Sequence, residues 1–285
     1  MDRFGITKRI ALLGIGANIV LLAAKLFIGF ASASQAMIAD GFNSAGDVFS
    51  SAMTYLGNRI ASRPEDKTHP YGHGKAEYIF SMIISFSLVL VAYKILRNSL
   101  DSILYRESLV FSWWLMGIAL FTIITKLCLF LYTRRAGIQT ENLLIIANSE
   151  DHRNDVFVTS STIIGIVLSK GGLFWADGVV GIGISLWIGF TAFKIFKSSY
   201  SVLMDTNFDE GLKSSVLKTI ENIDGIDHVD SVAAKPVGIG YIVIIKVSVP
   251  GDMTVRESHG IAADIRKNVK RCKNIKDVVV HINPA

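Results

Sequence analysis

The chain is short of cysteine, proline and charge, and each shortage removes a class of explanation. Two cysteines in 285 residues, Cys128 in an apolar run and Cys272 in a basic stretch, provide neither a disulfide framework nor a CxxC metal pair. Thiol chemistry is therefore not the working principle. Five prolines and 19% charged residues, against 51% hydrophobic ones, make the chain too apolar for an ordinary soluble domain and point to an integral membrane protein. A cleavable signal peptide is not expected either. The opening MDRFGITKRIALLGIGANIVLLAAKLFIGF has no small-residue cleavage site, and its apolar run is long enough to span a bilayer. The net charge of +5 does not indicate nucleic acid, because the basic cluster Lys267, Lys270, Arg271 and Lys273 has no accompanying aromatic binding pattern. In a membrane protein such charges first report orientation.

Six apolar stretches are of spanning length: residues 10–30, 36–60, 78–103, 109–132, 143–168 and 178–198. Basic residues cluster before the first (Arg3, Lys8, Arg9), between the second and third (Arg59, Arg63, Lys67, Lys75), and between the fourth and fifth (Arg134, Arg135). By the positive-inside rule both termini face the cytoplasm, and the location expected is the cell membrane. After Met204 the apolar runs shorten. A helix over 209–222, strands at 229–234 and 241–249, a helix over 255–270 and a strand at 278–282 give an αββαβ domain. The expected domains are thus 1–206, a six-helix membrane domain, and 207–285, a small cytoplasmic αββαβ domain.

One span carries charge that it should not. NSEDHRNDVFVTSS, residues 148–161, puts Glu150, Asp151, Arg153 and Asp155 into a bilayer-crossing pattern. Each charge at mid-bilayer costs about 2.5 to 3.5 kcal/mol on insertion scales, so two aspartates alone cost about 5 to 7 kcal/mol. That rivals the ~5 to 15 kcal/mol that holds a typical domain together. Asp151 and Asp155 are spaced i,i+4, which puts both carboxylates on one helix face with ~6 Å of rise between them. The second span repeats the spacing in ADGFNSAGD, with Asn43 and Asp47 at i,i+4 and Asp40 a turn earlier. Three carboxylates and one amide carbonyl would form an all-oxygen cage for a divalent cation, whose charge offsets desolvation and mutual repulsion. The competing reading makes these residues caps or interhelical hydrogen bonds; Asp177 reads as a cap of the sixth span, and His152 as an orienting residue.

A second cluster lies in RPEDKTHPYGHGKAE, where Asp66, His69 and His73 offer a carboxylate and two imidazoles, donors that suit zinc and its first-row neighbours. The alternative is an ordinary polar loop. In the terminal domain His228, Asp230, His259 and His281 are scattered candidates. Lys75 and Asp205, at the edges of the third and sixth spans, could form an ion pair across a dimer, tying membrane and terminal domains together.

Taken together these features resemble the cation diffusion facilitator family of divalent-metal/proton antiporters. The resemblance covers nearly the whole chain, including the HPYGHGKAE loop, and implies a homodimeric secondary transporter rather than an enzyme. It implies metal export from the cytoplasm by alternating access, with protons as counter-ion and no prosthetic group. Carried over residue by residue, the transport site falls on Asn43, Asp47, Asp151 and Asp155. Zinc-transporting members typically carry histidine at the position of Asp151, so the pattern here resembles the manganese type, with Zn²⁺ or Fe²⁺ as the other cargoes to weigh. Asp66, His69 and His73 match the family's loop site. His259 and His281 match terminal-domain ligand positions, but Lys246 stands where zinc-binding members have a histidine, so one metal or none is expected there. A membrane metallohydrolase and a metal sensor without transport are the readings from other classes.

Overall fold

Proline-poor apolar runs form helices wherever every backbone polar group must find a partner inside its own segment. The computed structural model describes the backbone of residues 3–31, 35–105, 113–170, 174–208, 210–238 and 240–285, and their side chains except at 29, 35–40, 42, 43, 105, 115, 162, 165–170 and 174–177. Six long helices come first: α1 (Arg3–Ala31), α2 (Gln35–Ala61), α3 (Ala76–Tyr105), α4 (Trp113–Gln139), α5 (Leu143–Lys170) and α6 (Phe174–Leu203). They are followed by α7 (Glu210–Glu221), β1 (His228–Val237), β2 (Gly240–Val249), α8 (Val255–Val269) and β3 (Ile275–Pro284), the αββαβ order read from the residue pattern. Among the described residues α1, α3, α4 and α6 contain stretches long and apolar enough to cross a bilayer. The two helices that fall outside that measure, α2 and α5, are the ones carrying the aspartate pairs.

The chain divides into two compact units, Met1–Ser62 with Ala76–Tyr200, and Arg63–Lys75 with Ser201–Ala285. The second unit therefore starts a little before the expected boundary at 206 and includes the loop between α2 and α3. Its internal contacts explain why. Lys75 Nζ donates to Asp205 Oδ1 at 2.5 Å, and Lys235 lies over the Tyr71 ring at 5.4 Å. Gly74 meets the β1–β2 turn so closely that a Cβ on it would lie 2.8 Å from Gly238 Cα.

The first unit is apolar outside and carries polar residues inside beside its buried apolar clusters. Phe27, Leu90 and Trp113 are 76%, 69% and 80% exposed, whereas Asn18, Ser51, Thr54, Asn148 and Lys126 are buried. In water so much exposed apolar surface would drive aggregation; against lipid it is the expected exterior. Packing is close where α2, α3 and α5 meet: a Cβ on Gly57 would come within 2.7 Å of Leu144 Cδ2 and 2.8 Å of Phe80 Cβ. The start of α5 is fixed by polar groups. Asn142 Oδ1 accepts from the Ile145 amide at 3.1 Å, and the buried Glu77 accepts from the Leu143 amide at 3.1 Å. These bonds occupy amides that the first helical turn leaves unpaired, and they place negative charge at the positive end of the helix dipole. Arg3 completes the knot through Glu77 at 2.7 Å and the Thr140 carbonyl at 2.9 Å.

The second unit is a three-stranded sheet of order β1-β2-β3, with β1 and β2 antiparallel and β2 and β3 parallel. A two-residue connection joins β1 to β2, with Gly238 at φ 63° providing the left-handed conformation that short hairpins need. The parallel pairing requires a crossover, which α8 supplies. Alternation along β2 buries Val243, Ile245 and Val247 against Val216 and Ile220 of α7 and Ile265 and Val269 of α8, and leaves Ile244 and Lys246 exposed. A capping box starts α8, in which the Thr254 and Glu257 side chains each take the other's backbone amide.

Candidate metal centre

The i,i+4 spacing places Asp151 and Asp155 on one stretch of α5, while Asp47 comes from α2. Asp47 and Asp151 are buried, and the Asp155 side chain is 19% exposed. What joins Asp47 to Asp155 is a residue that the sequence reading passed over, Lys126 on α4. Its Nζ donates to Asp47 Oδ2 at 2.8 Å and to Asp155 Oδ2 at 2.5 Å, and its side chain is 1% exposed. Asp151 is within electrostatic reach of Asp155, Asp47 and Lys126. Its Oδ2 has no hydrogen-bond partner among the described residues, so a buried acceptor remains available to a cation. Three carboxylates against one ammonium leave the cluster formally at −2.

Neutral polar groups hold the surroundings. Asn18 Nδ2 donates to the Asp47 carbonyl at 3.0 Å and to Ser51 Oγ at 3.1 Å, and Asn148 Nδ2 donates to Ser50 Oγ at 3.4 Å. Asn43 lies on α2 one turn before Asp47, but its side chain falls outside the described residues, as do those of Asp40 and Asp177. His152 is fully buried, and neither ring nitrogen has a hydrogen-bond partner among the described residues. The other charges of the 148–161 stretch belong to a separate network. Glu150 pairs with Arg134 and Arg153 at 2.5 Å each, and Arg153 lies over Trp187 at 5.6 Å and Phe157 at 5.7 Å.

A second grouping forms in the α2–α3 loop. Ligating atoms of Asp66, His69 and His73 all lie within 4.8 Å of one another, with His69 Nδ1 3.2 Å from Asp66 Oδ1 and His73 Nε2 3.5 Å from Asp66 Oδ2. Gly72, at φ 77°, closes the turn by donating its amide to the His69 carbonyl at 2.9 Å. His73 Nδ1 is 3.2 Å from the Pro64 carbonyl; donating there leaves Nε2 with its lone pair toward Asp66, an arrangement common behind metal-bound histidine. The Thr68 hydroxyl and the His69 amide, both donating to Asp66, hold that carboxyl well below the usual carboxylate range and keep it ionised.

The terminal-domain histidines are less organised. His259 on α8 and His281 on β3 are exposed, and neither joins a group of three or more ligating side chains among the described residues. His281 sits opposite Lys246 in the parallel register. His228 contacts Asp227 at 2.6 Å and Asp230 at 3.0 Å. Those carboxylates raise its pKa, the Asp227 hydrogen bond foremost. The Lys75–Asp205 pair forms within one chain and within one unit, tying the α2–α3 loop to the segment after α6.

Comparison with known proteins agrees with this layout. Residues 11–204 match the cation efflux transmembrane domain, and residues 209–285 match the cation efflux protein cytoplasmic domain. The manganese efflux system protein MneS of Bacillus subtilis is 34% identical over 278 residues, covering 96% of this chain and 94% of that protein. MneP, also a manganese efflux system protein of Bacillus subtilis, is 30% identical over 291 residues, covering 99% and 98%. The magnetosome protein MamM of Paramagnetospirillum magneticum is 27% identical over 268 residues, covering 92% and 83%. With both family models matched in order along the chain, this protein belongs to the cation efflux family, and it is a membrane transporter of metal cations rather than an enzyme.

Proposed function

We propose that the chain exports Mn²⁺ from the cytoplasm in exchange for protons, as a homodimer in the cell membrane with both termini cytoplasmic. The observation that carries this reading is the pairing of Asp47 and Asp155 through Lys126 inside an otherwise lipid-facing bundle, with buried Asp151 within electrostatic reach of both and one of its oxygens unpartnered among the described residues. Together with the Asn43 carbonyl these residues make an all-oxygen donor set. Hard Mn²⁺ accepts such a set, whereas Zn²⁺ favours nitrogen and sulfur. Affinity alone would rank Mn²⁺ last among first-row divalent ions, so donor type and availability must supply the preference. The names of MneS and MneP support the same cargo. In this mechanism the ionised aspartates take the metal from the cytoplasmic side, and helix movement turns the site outward. Protons from the outer side then neutralise the carboxylates and release the ion. Asp66, His69 and His73 form a loop site that holds metal on the cytoplasmic side, and His259 and His281 are the remaining ligand candidates, at most for a single ion.

The test is uptake of Mn²⁺, Zn²⁺ and Fe²⁺ into proteoliposomes under an imposed pH gradient. Mn²⁺ uptake should exceed that of the other two and collapse when an ionophore dissipates the gradient. Preferential Zn²⁺ or Fe²⁺ flux would reject the donor-type argument while keeping metal efflux, and flux indifferent to the gradient would reject proton exchange.

A further inference from the structure

Lys126 is the single charged residue in the apolar run 109–132. Buried charges at span depth pair with one another or line a pathway, and the partners here are informative. Both carboxylates that accept from Lys126, Asp47 on α2 and Asp155 on α5, are members of the proposed coordination shell. An ammonium has three donors and no lone pair, so a charged lysine cannot become a metal ligand. A divalent ion at ordinary coordination distance from those oxygens, about 2.0 to 2.6 Å, would stand a few ångströms from Nζ. With the Lys126 side chain 1% exposed, solvent screens that repulsion only weakly.

Resting on the transport reading above, we propose that Lys126 is a tethered competitor of the transported cation, its ammonium and the metal using the oxygens of Asp47 and Asp155 in turn. The long, flexible lysine stem suits withdrawal and return. Binding of metal displaces the ammonium, and its return to the carboxylates helps drive the metal off. Reciprocity follows: bound metal weakens the ammonium's hold on the two aspartates by the same factor as the ammonium's hold weakens metal binding. Lys126 thereby sets affinity low enough for release. A lysine that merely holds the three helices together would have no such effect on affinity.

The experiment is equilibrium Mn²⁺ binding to the full chain in lipid nanodiscs at one fixed pH, comparing wild type, Lys126→Met, Lys126→Gln and Lys126→Arg, with Mn²⁺ turnover measured on the same proteins in proteoliposomes. Lys126→Met should bind Mn²⁺ roughly 5- to 150-fold more tightly, the usual range of coupling between two binding events, and turn over more slowly at saturating Mn²⁺ because release is hindered. Lys126→Gln reports the same loss of charge with a polar side chain, should the apolar one fail to fold. Lys126→Arg should bind more weakly than wild type, because a planar guanidinium grips two carboxylates in a fixed fork and is harder to displace. Unchanged or weaker binding by the uncharged variants, or wild-type affinity in Lys126→Arg, would overturn the inference while leaving the transport reading intact. Wild type that binds no Mn²⁺ would instead reject the Mn²⁺ reading, and the inference with it.

Discussion

A carboxylate inside a bilayer lowers its cost by meeting a cation or a proton, and the aspartates of this chain have a cation at hand in Lys126. The individual candidates for metal ligation were legible because i,i+4 spacing is a local property of a helix: Asp47, Asp151 and Asp155 could be singled out with no knowledge of packing. Lys126 was not, since its partners lie 79 and 29 residues away and only the packed bundle brings them within reach. A lone lysine in LFTIITKLCLF was the available signal, and intramembrane charge of any sign is the rule that would have found it. The same distinction applies at Lys75 and Asp205, whose side chains are 34% and 42% exposed. A double-mutant cycle with Lys75→Ala and Asp205→Ala should give a coupling of about 0.2 to 1 kcal/mol at neutral pH, as exposed pairs do. The Lys75 hydrogen bond lowers the Asp205 pKa beneath its ordinary 3.8. A depressed carboxylate contributes stability above its unfolded pKa and loses it as pH falls through the folded value. The coupling should therefore persist at pH 5 and fade below about pH 4; a coupling unchanged down to pH 2 would contradict the pairing.

Along the helices, the glycines of α2 separate packing from propensity. Gly57 leaves no room for a methyl group between Leu144 and Phe80, whereas nothing lies within 4 Å of a Cβ built on Gly46. Gly57→Ala should destabilise by about 1 to 3 kcal/mol through overpacking, seen as a lower unfolding midpoint in lipid or detergent. Gly46→Ala should be neutral or stabilising by up to ~1 kcal/mol, because alanine is the better helix former. Equal effects at the two positions would show that α2 does not pack against α3 and α5 as described. Element order was readable throughout, because periods of 3.6 and 2 residues survive in the sequence. The attachment of the 63–75 loop to the second unit was not. It depends on Gly74 meeting Gly238 and Lys235 meeting Tyr71, pairings distant in sequence and without a local pattern.

At the scale of the whole molecule, hydropathy is least informative where function is concentrated. Among the described residues α2 and α5 miss the apolar threshold that α1, α3, α4 and α6 meet, and both carry charged and polar residues, those of the proposed site among them. A further grouping whose atoms are placed to hold a metal, Asp66 with His69 and His73, lies in the unit that holds the αββαβ domain. Replacing His73 with alanine should abolish binding of one metal equivalent at the loop, measured by calorimetry, while leaving the aspartate site able to bind; loss of both together would show that the two groupings are not separate sites. The most direct test of the central claim is Mn²⁺ flux through Asp155→Ala against wild type in matched proteoliposomes, with the assembly state of each checked by light scattering. Abolished flux in a variant that keeps the wild-type assembly is the expected result. Robust Mn²⁺ transport by that variant would contradict the assignment of the aspartate cluster as the transport site.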